Sequence, residues 1–152
     1  MTTINEIMTS FQEIATDHYQ INSSFLGQTW NYEAETNIYP CMIVITQPSY
    51  IQKGQVLYNF SIYMADIMNK DRTNLFEIQS DMFSICNDIV SELKDKEDVY
   101  NFWLDETNVM LTPFEESFDD IAAGWQMDIT IQVLNGGSSC STAFKTKNLI
   151  DE

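Results

Sequence analysis

From Trp125 to Val133 the chain alternates without a fault. Trp125, Met127, Ile129, Ile131 and Val133 point one way, and Gln126, Asp128, Thr130 and Gln132 point the other. A repeat of two is the period of a β-strand, and one apolar row backed by one polar row predicts an antiparallel strand with a dry face and a wet face. Ahead of it lies an acidic, aromatic approach, Phe114, Glu115, Glu116, Phe118, Asp119 and Asp120, closed by Ala122-Ala123-Gly124. Behind it, Asn135-Gly136-Gly137-Ser138-Ser139 ends the strand and opens a polar stretch.

The rest of the chain supplies what such a strand needs. Ile4, Ile7, Met8, Phe11, Ile14, Ala15 and His18 fall on one face of a helix, with Thr2 or Thr3 as cap and Glu6 at the third position of a capping box. Asn22-Ser23-Ser24 and Gly27 read as a break, after which Trp30, Tyr32 and Ala34 alternate as a first strand. Ile38 to Thr46 reads as a second strand, and about Gln55 to Asp66 as a third, with a turn at Pro48-Ser49 and Lys53-Gly54 between them. Leu75, Ile78, Met82, Ile85, Ile89 and Leu93 step by three and four along a long helix capped by Thr73 or Asn74. Phe76, Phe83 and Val90 add a second apolar row to it. An arc that wide calls for cover on two sides, one from a sheet and the other from the first helix or from a neighbouring subunit. Tyr100 to Leu104 and Val109 to Leu111 read as an interrupted fourth strand. The expected fold is α+β: a two-layer sandwich in the order α-β-β-β-α-β-β, with a mostly antiparallel sheet and its helices on one face. Residues 1–135 form that domain, and residues 136–152 a C-terminal extended arm.

Composition removes function classes more firmly than it selects one. A net charge of −16, from 7 Lys and Arg against 23 Asp and Glu, argues against wrapping nucleic acid or lying on anionic lipid. That charge has two accounts: solubility, or a surface that avoids nucleic acid or meets a basic partner. No apolar run is long enough to cross a bilayer, and the opening residues lack the pattern of a signal peptide. Cys41 and Cys86 fall in a strand and a helix, where buried thiols are expected. The sole histidine, His18, cannot build a zinc site or a nucleophile triad. Glu115, Glu116, Asp119 and Asp120 invite a magnesium or glycosidase reading, but in a chain this acidic a solvated face is the simpler account. No phosphate-binding glycine loop is present. No enzyme, cofactor, metal or small-molecule substrate is expected.

Leu111-Thr112-Pro113-Phe114, leading through Phe118-Asp119-Asp120 and Ala123-Gly124-Trp125 into the alternating strand, together with the order of elements, resembles a known family. It is similar to the tail-terminator and tail-completion proteins of tailed bacteriophages, closest to the neck ring proteins of Bacteroidetes-infecting and crAss-like phages. The resemblance spans the first helix to Val133 as an arrangement and is specific over residues 111–134. It implies a structural virion protein, present in the host cytoplasm during assembly. It further implies a ring of six or twelve copies between portal or adaptor and tail, with DNA only as passing cargo. Phe114, Phe118, Asp119 and Asp120 are then candidates for a subunit interface, and Phe144, Leu149 and Ile150 for anchors of the arm on a neighbour. The alternative is a soluble acidic protein-binding module: an adaptor, an inhibitor or a DNA mimic.

Overall fold

The computed structural model describes residues 2–26, 39–117 and 121–135. In chain order the elements are α1 (Ile4–Asp17), β1 (Ser23–Leu26), β2 (Cys41–Gln52), β3 (Gln55–Ile67), α2 (Leu75–Asp95) and a short α3 (Glu97–Tyr100). After these come β4 (Trp103–Leu104), a 3-10 turn (Glu106–Asn108), β5 (Met110–Ser117) and β6 (Ile121–Leu134). The fold is α+β. Its six-stranded open sheet runs β1-β2-β3-β6, with β4 and β5 both on the outer side of β6. Among the described residues only the β1–β2 pair is parallel.

The long alternating strand sits between β3 and the β4–β5 edge. Its dry row packs under the helices, where Met127, Ile129, Ile131 and Val133 join Met42, Val44, Phe60, Ile62 and Met64 in the core. Thr3 Oγ1 accepts the Glu6 N–H at 3.3 Å, so α1 starts where its capping signal places it. α1 then buries Ile7, Phe11 and Ile14, and the Phe11 ring meets Phe60 edge-on at 5.3 Å. Burying each such side chain contributes about 1.5–3 kcal/mol. α2 starts after Asn74, whose side chain accepts the Asn69 N–H at 2.8 Å rather than capping the helix. It buries Ile78, Met82, Ile85, Ile89 and Leu93, the row stepping by three and four.

β4 and β5 are two parts of one interrupted edge. Trp103-Leu104 faces Gln132-Ile131, and Met110–Ser117 faces Asp128–Ile121. Asp105 holds the interruption in place. Its N–H donates to Thr130 O at 2.9 Å, and its carboxylate accepts from the N–H and hydroxyl of Thr107 at 3.1 and 2.6 Å. Pro113 lies on this outer strand, where a missing N–H is tolerated.

Local reading fails where a long-range contact decides. Ser23-Ser24, expected in a break, lies in β1, because Asn22 ties the segment to β2. Its N–H donates to Pro40 O at 2.9 Å and its side chain to Tyr39 O at 2.7 Å. The expected Trp30–Ala34 strand lies outside the described residues. Pro48-Ser49 is not a turn but a bulge within β2, since Gln47 pairs Asn59 and Tyr50 pairs Leu57. Asn59 stabilises it, donating its N–H to Ser49 Oγ at 3.0 Å and its amide to Pro48 O at 2.8 Å. The turn shrinks to Lys53-Gly54, with Gly54 at φ 77°, the left-handed region glycine adopts freely. Tyr100 ends α3 rather than opening a strand, and Asn101 at φ 57° closes that helix. The approach at Phe114-Glu115 is already strand, and Ala122-Ala123-Gly124 lies inside β6.

Candidate interaction surfaces

On the helix side, α2 leaves an apolar strip uncovered. Phe76 and Phe83, two helical turns apart, remain 79% and 44% exposed. Trp125 lies beneath them at the edge of the sheet. Its Nε1–H donates to Gln79 O at 2.7 Å, and its ring meets Phe83 edge-on at 5.3 Å. The first helix does not supply the second cover, for a geometric reason. It meets α2 through His18 Nε2 and Asp88 Oδ2 at 3.0 Å, and Asp88 stands about 140° round the helix from Phe83 at 100° per residue. Arg72 pairs with Glu115 at 2.6 Å and Lys94 with Glu106 at 3.7 Å, so both ends of α2 are tied to the β4–β5 edge. At that exposure the pairs orient the helix more than they stabilise it.

Acidic groups lie round α2 from the strip, Asp81 about 140–160° from Phe76 and Phe83 at 100° per residue. Glu77 and Asp81 are exposed on α2, and Asp81 acts electrostatically on Asp66 at the end of β3. Burial raises the Asp66 carboxyl above its ordinary value; the Ile67 N–H works against that shift and Asp81 adds to it.

The opposite face of the sheet divides in two. Towards one end, Cys41, Ile43, Ala65 and Ala122 form a second apolar cluster joined by Tyr63 and Phe114. Beside it the row expected to be wet carries a hydrogen-bonded network across three strands. Gln47 Nε2 donates to Ser61 Oγ at 3.1 Å, Ser61 Oγ to Asp128 Oδ1 at 2.6 Å, and Gln126 Nε2 to the same oxygen at 3.0 Å. Thr130 Oγ1 donates to Asn59 Oδ1 at 2.6 Å. Ser61 and Thr130 are buried, which corrects the expectation of a uniformly solvated row. A hollow of about 410 Å³ lies over part of this network, and its polar groups largely satisfy one another. Sequence reasoning missed the network because its members become neighbours only once the β2–β3–β6 register is set. The polar alternation of Asn59 and Ser61 was the available signal.

Of the residues singled out for an interface, Phe114 packs edge-on against Tyr63 at 5.8 Å. Phe118, Asp119, Asp120, Phe144, Leu149 and Ile150 lie outside the described residues, as does the segment 136–152. Glu115, one of the four carboxylates weighed for metal or acid–base chemistry, is engaged by Arg72. Among the described residues no three His, Cys, Asp or Glu side chains are grouped as metal ligands would be. Burial pushes the Cys41 and Cys86 thiols up to about 12, with a smaller contribution from Asp66 at Cys41, so both stay protonated at neutral pH. No helix among the described residues is long and apolar enough to cross a membrane.

No family model matches this chain, and no curated protein matches it significantly.

Proposed function

We propose that this chain is a structural, non-enzymatic virion protein that forms a ring in the head–tail neck of a tailed phage. Its partners are its own copies, six or twelve in number, together with a portal or adaptor and the tail. DNA is cargo in passage. The observation that carries the reading is the Phe76–Phe83 strip, left exposed beside the open β5 edge. Among the described residues neither is covered, and both suit coverage by a repeated neighbour. The resemblance over residues 111–134 points the same way. The net charge of −16 suits a channel along which a phosphate backbone slides without sticking. Repeated round a ring, that charge opposes assembly, so apolar contacts or basic neighbours must offset it.

Native mass spectrometry over a wide concentration range tests the proposal. A discrete species of six or twelve copies supports it, and a monomer at every concentration refutes a self-assembling ring. The acidic patch around Glu77, Asp81 and Asp66 favours a second reading, an acidic module that captures a basic protein. Salt-sensitive binding of a basic protein by the monomer, with no ring, would select that reading.

A further inference from the structure

We propose that the hollow on the open face of the sheet is a docking site for an arginine side chain of a different protein, received by Asp128. The site does not depend on ring formation; it supplies the chemistry by which a second protein is gripped.

The network beneath the hollow spends donors and keeps acceptors. Ser61 and Thr130, only 1% and 4% exposed, give their hydroxyl protons inward, to Asp128 Oδ1 and Asn59 Oδ1, each at 2.6 Å. The side-chain amides of Gln47, Gln126 and Asn59 each give a proton, to Ser61 Oγ, Asp128 Oδ1 and Pro48 O. Among the described residues, Oε1 of Gln47, Oε1 of Gln126 and Oδ2 of Asp128 receive no donor. Asp128 is half-buried, lines the hollow of about 410 Å³, and has no cation at ion-pair distance among the described residues. A carboxylate set among neutral amides is best matched by a cation that brings several N–H groups.

Spacing and ligand count choose the cation. Ser61 stands opposite Asp128, and Asn59 opposite both Gln47 and Thr130. Gln126 lies a two-residue step, about 6.8 Å, along β6 from Asp128, and neighbouring strands run about 4.8 Å apart. A planar guanidinium with its fork of N–H groups spans acceptors so spread, whereas an ammonium is a point charge. Calcium would meet a single carboxylate where its protein sites gather several. Met110, 62% exposed at the rim, offers an apolar wall to the arginine stem. Arg72 is the only arginine of this chain and is held by Glu115, so the guanidinium must come from another protein.

The test titrates isotope-labelled full-length protein with the capped peptide Gly-Arg-Gly and its citrulline and lysine analogues, each to about 50 mM, followed by NMR. Saturable shifts are expected at the side-chain amides of Gln47, Asn59 and Gln126, with a Kd of about 1–10 mM for the arginine peptide. The lysine peptide should bind at least about fivefold more weakly, and the citrulline peptide, which lacks the charge, not at all. Asp128→Asn keeps the Oδ1 acceptor and should weaken arginine binding at least about tenfold. Asp95→Asn, exposed at the end of α2 on the helix side, should leave it unchanged. Should Asp128→Asn fail to fold, the comparison of arginine with citrulline and lysine on the wild type decides alone. Equal binding of lysine and arginine, shifts spread over the acidic surface, or full affinity in a folded Asp128→Asn marks general charge attraction and overturns the site. No shift up to about 50 mM overturns it as well. Calcium chloride that saturates the same amides and displaces the arginine peptide makes the hollow a metal site and overturns the assignment. None of these failures touches the ring reading, which native mass spectrometry tests separately.

Discussion

One added methyl group probes how closely β3 and β6 run together. A Cβ at Gly124 would stand 1.7 Å from the Met64 carbonyl oxygen, 2.8 Å from its carbonyl carbon and 3.1 Å from Ala65 Cα. All three are backbone atoms, so no rotamer change relieves the clash. Ordinary contact begins near 3.5 Å, so the strands must part locally by roughly 1.5–2 Å. Hydrogen bonds of the ladder do not survive such a stretch. Overpacking costs about 1–3 kcal/mol, and each buried backbone group left unpaired about 1–3 kcal/mol more. The entropic benefit of replacing glycine, about 0.4–1 kcal/mol, offsets little of this. Gly124→Ala should therefore destabilise by about 3–5 kcal/mol, against a typical domain stability of about 5–15 kcal/mol. Urea unfolding followed by tryptophan fluorescence is the assay. With a slope of about 2 kcal/mol per molar, the midpoint should fall by about 1.5 M or more. Gly54→Ala is the control, because that residue has φ 77° and a methyl added there would meet no atom within 4 Å. It should cost only about 1–2 kcal/mol. An unchanged or raised midpoint for Gly124→Ala would refute the close approach.

Three further outcomes are expected. Trp125→Phe removes the 2.7 Å bond to Gln79 O and shrinks the ring under Phe83; calorimetry should show a loss of about 1–2 kcal/mol, and an unchanged melting temperature would contradict the contact. Ser61→Ala, in the buried centre of the open-face network, should cost about 1–2 kcal/mol. A double-mutant cycle with Asp128→Asn should give a coupling above about 0.5 kcal/mol, and simple additivity would show the network to be inert. Asp66→Asn should stabilise at pH 7. The folded carboxyl titrates above its usual 3.8, first through burial and then through Asp81, so the native state holds the proton more tightly than the unfolded state. The resulting penalty is absent below pH 3.8, grows up to the folded value and stays constant above it. The advantage of Asp66→Asn should therefore vanish towards about pH 3. A variant that gains less over wild type at neutral pH than in acid would refute the sign.

Periodicity was enough for the secondary elements whose evidence is local. The step of three and four from Ile78 to Leu93 and the alternation from Trp125 to Val133 are properties of one segment, and each produced the expected element with the expected buried row. The interrupted edge at Leu104 and Val109 was legible for the same reason. The order of elements followed, and with it the α+β class, because an apolar row on a strand and one on a helix can satisfy each other in few ways.

The tertiary structure decided what depends on a partner far along the chain. Whether Pro48-Ser49 turns or bulges depends on Asn59, and whether Ser23 pairs depends on Asn22 reaching Pro40. Gly124 looked like the end of an approach until Met64 O was set against it. The candidate interface residue Phe114 proved to belong with Tyr63 on the open face, on the opposite side of the sheet from the Phe76–Phe83 strip. In the sequence alone, Phe76, Phe83 and Val90 were a second apolar row awaiting cover. With α1 held at Asp88 on another side of α2, Phe76 and Phe83 stay exposed, whereas Val90 packs half-buried against the core. Burial is a property of the whole assembly of elements, and a pattern confined to one helix carries no record of where the next helix comes to rest.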